Sequence, residues 1–187
     1  MSSSLPPHSR APQGPGISSR TAAAPDGADL WTARLLLRPW SDGELAAVLE
    51  GTRQPHWAAD FPADGDRVIA GFAAGHPAAR GAHGQRQILE RASGLVVGGI
   101  GLFWPPADGS VEFGYGIVPS RRGRGYASEA ARALVAFAFT APGVHTVCAD
   151  TERSNPASGR VLEKAGLERW SSDDTHVRFR LTAPPTA

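Results

Sequence analysis

The sequence predicts a mixed α/β fold of the α+β kind, and three observations carry that prediction. Val111, Phe113, Tyr115 and Ile117 alternate with Glu112, Gly114, Gly116 and Val118, the period-two pattern of a strand. Ala127, Ala130, Ala131, Leu134, Val135 and Ala138 then recur at the i, i+3, i+4, i+7 spacing of an amphipathic helix. Around this pair the remaining segments order as strand, two helices, three strands, helix, strand, helix and two strands.

Each element has a local reason. Arg34–Trp40 reads as a strand ending at Pro39, after which Ser41 or Asp42 can cap a helix to about Glu50. Val68, Ile69, Phe72 and Ala73 place a second helix over Asp64–Ala74. Gln85–Arg91 and Leu95–Trp104 are consecutive strands joined through the turn dipeptide Ser93-Gly94. Pro105 to Gly109 turns the chain into the strand at Ser110–Val118. Pro142-Gly143 closes the amphipathic helix, and Val144–Asp150 follows as a strand. Asn155 can cap a helix that has Pro156 at its first position and stops at Gly166, before strands at Leu167–Trp170 and His176–Leu181.

At 187 residues the chain fits one domain, expected over residues 30–182. Residues 1–29 hold five prolines among Ser, Gly and Ala, a composition too poor in apolar surface to offset its ordering entropy, so a disordered tail is expected there. Residues 183–187 read as a frayed end. With 19 Lys+Arg against 18 Asp+Glu the formal net charge is +1, which argues against nucleic acid or an anionic membrane as partner. No apolar run approaches a membrane span. The single Cys148 excludes an internal disulfide and a cysteine-only metal cluster, and reads as a buried strand thiol. A cytoplasmic protein without a metal, acting as a monomer or homodimer, is the expectation.

The chemistry concentrates in two places. Pro119 to Ala127 joins a strand to a helix through a loop carrying Arg121, Arg122, Gly123, Arg124 and Gly125. Such a loop can aim several backbone N–H groups, at the positive end of a helix dipole, toward a phosphate or pyrophosphate. A dinucleotide-binding reading of the two glycines fails on detail, because Ser128 holds the third glycine position and three strands precede the unit. The second place is Asn155 to Gly166, where Asn155 and Ser158 lie three residues apart at a helix start. Read alone, Asn155 is a helix cap before it is a ligand contact.

Together these segments resemble the GNAT N-acetyltransferase superfamily. Arg122-x-x-Gly125-x-Ala127 is similar to its acetyl-CoA pyrophosphate loop, and Asn155-x-x-Ser158 followed by Glu163-Lys164-x-Gly166-Leu167 is similar to its second cofactor motif. The spelling is closest to the ribosomal-protein-alanine N-acetyltransferase branch. The resemblance implies a mostly antiparallel twisted sheet of about six to seven strands with a splayed central parallel pair, flanked by about four helices. It also implies acetyl-CoA as acetyl donor, with a pantetheine arm pairing near Ile117 and Val118 on a strand often bulged. The pyrophosphate would lie on the amides of Arg122, Gly123, Arg124, Gly125, Ala127 and Ser128, and Asn155 and Ser158 would approach the pantetheine and its thiol end.

Direct acetyl transfer to an amine needs a proton acceptor and a donor for the leaving thiolate. Glu112 is the candidate base, where some members carry a glutamate. Many relatives place a tyrosine in the second motif as the acid; here Tyr115 and Tyr126 both lie outside it, and Ser158 occupies the position that could serve. A primary amine is the expected acceptor, with a protein N-terminus favoured over a small amine. Trp57, Phe61 and Trp104 either line an acceptor pocket or pack the core, and His56, Asp60 and Asp64 are candidates to meet the ammonium.

Overall fold

A computed structural model describes residues 29–183; the predicted tail and frayed end lie almost wholly outside them. One eight-stranded sheet runs in the order β1-β2-β3-β4-β5-β6-β8-β7. Its strands are β1 (Leu30–Trp31), β2 (Leu35–Pro39), β3 (Gln85–Glu90), β4 (Leu95–Leu102), β5 (Ser110–Ile117), β6 (Thr146–Glu152), β7 (Glu168–Ser172) and β8 (His176–Thr182). The helices are α1 (Asp42–Glu50), α2 (Asp64–Gly75), α3 (Tyr126–Ala138) and α4 (Pro156–Lys164). The strand beyond the seven predicted is β1, too short to show a period of its own and held by pairing to β2.

Every pairing is antiparallel except β5 with β6, which is parallel and short, matching Ser110, Val111 and Glu112 to Thr146, Val147 and Cys148. The far half of β5, Phe113–Ile117, pairs only with β4. The two central strands therefore part beyond Glu112 and Cys148 and leave a gap in the sheet. The predicted bulge in β5 is not seen: its register with β4 is continuous, and the register shifts fall in β3–β4 and β7–β8 instead.

Local signals explain most boundaries. Ser41 caps α1 by accepting from the Glu44 N–H, and the Glu44 carboxylate accepts from the Ser41 N–H, a reciprocal cap worth about 1 kcal/mol. Val111, Phe113, Leu134, Val135, Val147 and Ala149 are buried in the core.

The inner face of α2 differs from the expected one. Val68 is 70% exposed, while Asp66, Ala70 and Ala73 are buried and Ile69 and Phe72 half-buried. An apolar count places Val68 inward, whereas the helix turns Asp66 to the sheet in its place.

Candidate functional site

The strand end and the helix start define the site. After β5, a single 3₁₀ turn at Pro119–Arg121 leads into Gly123 and Gly125, both in the left-handed region at φ 75° and 78°, where a side chain is strained. Gly125 is the N-cap of α3 and offers no side chain to it. The N–H groups from Gly123 to Ser128 make no backbone hydrogen bond, so the orphan donors of the helix start and the loop before it converge on one place.

Ion pairs fix this loop from behind. Glu90, 6% exposed on β3, accepts from the Tyr126 hydroxyl at 2.6 Å and from Ser93 at 2.6 Å, and Arg121 and Arg124 approach it at 3.4 and 3.5 Å. The Ser93 and Tyr126 hydrogen bonds, with Arg121, hold its carboxyl below the usual range. Arg34 pairs with Glu129 at 2.6 Å and donates to the Arg124 carbonyl at 2.9 Å. Asp60, in the loop before α2, accepts from the Ser120 N–H and hydroxyl at 2.8 and 2.7 Å, tying that loop to the entry of the glycine turn.

A slot of about 470 Å³ opens where β5 and β6 part. Its walls include Tyr115, Gly116 and Ile117 from β5, Arg122, Gly123, Gly125, Ala127 and Ser128 from the loop and α3, and Asn155 and Ser158 from α4. Arg160 and Lys164 add positive charge along α4. Asn155 caps α4, its Oδ1 accepting from the Ser158 N–H at 3.1 Å, and it also lines the slot.

The sequence-predicted cofactor residues thus fall into two groups. Ile117, Arg122, Gly123, Gly125, Ala127, Ser128 and Asn155 line the slot. Val118 and Arg124 do not: Val118 is fully buried with its N–H on Val97, and the Arg124 side chain reaches toward Glu90 while Arg34 holds its carbonyl. Arg122 donates from Nε to the Ile117 carbonyl at 2.9 Å, at the strand end expected to pair with pantetheine.

Ser158 has a partner that the sequence hides. The Tyr115 hydroxyl lies 2.6 Å from Ser158 Oγ and 3.1 Å from the Ser158 carbonyl, 43 residues away along the chain. A tyrosine on β5 thus reaches a residue of the second motif. Burial pushes the Tyr115 phenol up while the Ser158 hydrogen bond pulls it down, and the net shift is upward. The hydroxyl therefore stays protonated and can donate.

Glu112 sits at the point where β5 and β6 begin to part, paired with Cys148. It is exposed, yet partial burial of the carboxyl and the charge of Asp150 both raise its pKa. By strand alternation it shares a face with Gly114 and Gly116, opposite to Tyr115. The remaining acceptor candidates disperse. Trp57 and Phe61 are 2% exposed and pack edge to face in the core; Trp104 stacks on His83 at 4.4 Å. His56 lies 3.3 Å from Glu44, Asp60 is bound to Ser120, and Asp64 is exposed in the first turn of α2. Cys148 is half-buried, its thiol pushed up by burial and Glu112. Among the described residues no cluster of potential metal ligands occurs, and no helix is long and apolar enough to cross a membrane.

Comparison with known proteins agrees with this geometry. The chain is 34% identical over 81 residues to the uncharacterised N-acetyltransferase YjdG of Bacillus subtilis, a match spanning 43% of this chain and 48% of that protein. It is 29% identical over 82 residues to the uncharacterised N-acetyltransferase YnaD of the same organism, spanning 44% and 48%. The chain thus matches about half the length of these curated relatives. The crystal structure of an acetyltransferase from Agrobacterium tumefaciens superposes with a TM-score of 0.60 at 26% identity, covering 90% of this chain and 100% of that one. With its parted central strands, its bare helix N-terminus and a match of residues 34–168 to the model of the acetyltransferase (GNAT) domain, the chain belongs to the GNAT family.

Proposed function

We propose that this chain is an acetyl-CoA-dependent N-acetyltransferase that moves an acetyl group directly to a primary amine. One observation carries the reading: the undonated amides of Gly123 and of Gly125 to Ser128 belong to residues that line the slot beside the parting of β5 and β6. The amides, with Arg122 and the helix dipole of α3, suit a pyrophosphate. The free edge of β5 beyond Glu112 suits an extended arm bearing peptide groups, which would add to the sheet as a strand does. Acetyl-CoA, the donor of the family, has both parts.

In the reaction the ammonium loses a proton to Glu112, directly or through water, and the amine nitrogen bonds to the thioester carbon. The carbon–sulfur bond breaks with its electron pair leaving on sulfur, the nitrogen sheds its second proton to solvent, and the thiolate takes a proton from the Tyr115–Ser158 pair, which solvent then restores. The products are the N-acetyl amide and the free thiol, with one proton released to solvent. Tyr115 thereby joins Ser158 in the role that Ser158 alone was expected to fill. The chain's contribution is chiefly placement of the two reactants and of two proton-handling groups on opposite faces of β5.

The spelling of Asn155 to Leu167 supports a protein N-terminus as acceptor. A small amine is the alternative acceptor. A thiol-release assay with acetyl-CoA across short peptides, polyamines, aminoglycosides and amino acids tests both. Release with at least one primary amine is expected; tight acetyl-CoA binding without release from any amine would replace the enzyme by a non-catalytic acetyl-CoA-binding module.

A further inference from the structure

The glycine turn before α3 does not hold its own shape. A Cβ at Gly123 would meet nothing within 4 Å, so the turn stands in open space beside the undonated amides. A glycine there is conformationally free, and the placing of those amides depends on what grips the turn at its two ends. At the exit, Arg34 donates to the Arg124 carbonyl at 2.9 Å and is itself paired with Glu129 of α3. At the entry the grip is Asp60. Its two carboxylate oxygens accept separately from the Ser120 N–H at 2.8 Å and the Ser120 hydroxyl at 2.7 Å. Ser120 is the middle residue of the 3₁₀ turn, and Arg121, Arg122 and Gly123, which follow it, all line the slot.

Asp60 is carried on a braced support, the segment between α1 and α2. Inside that segment Arg53 donates from Nη2 to the Trp57 and Ala58 carbonyls at 2.9 and 3.0 Å, and from Nη1 to the Ala59 and Phe61 carbonyls at 3.1 and 3.2 Å. Four carbonyls aimed at one point repel one another without a cation between them, and a planar guanidinium satisfies all four at once. The segment is also hydrogen-bonded to β4: the Ala58 N–H donates to the Val96 carbonyl and the Val96 N–H to the His56 carbonyl, both at 2.9 Å. Trp57, Ala58 and Phe61 are buried in the core. A carboxylate on so rigid a base loses little freedom in binding Ser120. Desolvation pushes the Asp60 carboxyl up, the Ser120 amide and hydroxyl pull it down, and the net shift is downward, so the group is ionised at neutral pH.

We propose that Asp60, braced by Arg53, is a positioning residue for the acetyl donor: by gripping Ser120 it sets the turn whose amides receive the pyrophosphate. This rests on the acetyl-transfer reading, and it makes the segment between α1 and α2 part of the donor site. Asp60 does not line the slot, so it acts through Ser120 and not by contact. Its own charge, close to an anion site, opposes binding. Removing Asp60 would therefore tighten CoA if charge were all that mattered, and weakens CoA only if placement of the turn dominates.

The test is calorimetric titration of CoA into the full chain and its variants, with folding checked by circular dichroism. Asp60→Ala should bind CoA about tenfold more weakly or worse, and Asp60→Asn, which keeps one acceptor oxygen, about threefold more weakly. In thiol release Asp60→Ala should raise KM for acetyl-CoA by the same factor and leave kcat unchanged. S-acetylpantetheine, which has the arm but no pyrophosphate, should be used equally well by wild type and variant. Arg53→Lys keeps a cation but cannot bridge four carbonyls; it should weaken CoA in wild type and add nothing in Asp60→Ala, the mark of a residue acting through Asp60. Unchanged or tighter CoA binding in Asp60→Ala overturns the proposal, as does an equal loss with S-acetylpantetheine. A further loss in the double variant overturns the part given to Arg53. Thiol release with Asp60-independent CoA binding ends this proposal alone, whereas Asp60-dependent CoA binding without release from any amine ends acetyl transfer and keeps the positioning role.

Discussion

Replacing Asp66 by Asn should make the protein more stable at slightly alkaline pH and leave it nearly unchanged in acid. The group's ordinary value is 3.8, and burial beneath α2 lifts it to about 6 in the folded protein. A carboxyl whose folded value is raised contributes stability below its unfolded value and loses that contribution as pH rises through the folded one. A rise of roughly two pH units, at about 1.4 kcal/mol per unit, corresponds to about 3 kcal/mol in full, of which about 2 kcal/mol falls between pH 4.5 and 8. Asp66 is almost fully buried, so solvent screening removes little of this. Asn can keep the bond from the Ala63 N–H and carries no charge to desolvate. Urea unfolding of both proteins, followed by tryptophan fluorescence at the two pH values, measures the difference, because other titrating groups cancel between them. The gap should widen by about 2 kcal/mol in favour of Asn from pH 4.5 to 8. A constant gap would show that burial does not raise the Asp66 carboxyl.

Four further outcomes follow from the slot. Gly125→Asp places a negative side chain at the N-cap of α3, where φ is 78°, and should weaken acetyl-CoA binding by about 2 kcal/mol, roughly 30-fold by calorimetry, in a variant whose circular dichroism is unchanged. Glu112→Gln should lower kcat on the order of a hundredfold, leave acetyl-CoA affinity intact and abolish the acidic limb of the pH–rate profile. Because Asp150 helps to raise Glu112, Asp150→Asn should shift that limb to lower pH, activity being lost only as pH falls through the reduced value. Tyr115→Phe removes the 2.6 Å contact with Ser158 and should lower kcat about tenfold or more with little change in acetyl-CoA affinity, read by thiol release and calorimetry.

The parts of the site that lie close together in the chain are the parts the sequence displays. The glycine turn, the α3 stripe and the Asn155-Pro156 start of α4 are each written in a dozen residues, where spacing reports backbone conformation directly. Contacts made across the sheet leave no local trace. Tyr115 and Ser158 are 43 residues apart, Glu90 and Tyr126 are 36, and Asp60 and Ser120 are 60. Asp66 escaped for a different reason. Binary patterning assigns charge to the outside of a helix, so it turned Val68 inward, whereas α2 buries a carboxylate against a strand emptied by glycine. Local rules fail where packing overrides them, and Asp66 over Gly99 is such a place. The short β1 was missed because two residues carry no period.

Acetyl transfer is tested most directly by following thiol and acceptor together in one reaction of the full chain with acetyl-CoA and a primary amine. Free thiol is read optically and N-acetyl amine by mass spectrometry. One N-acetyl product should appear for each thiol released, and both should fall together in Glu112→Gln. Thiol release without acetylated amine would identify a thioester hydrolase, and an unaltered rate in Glu112→Gln would contradict proton removal by that residue.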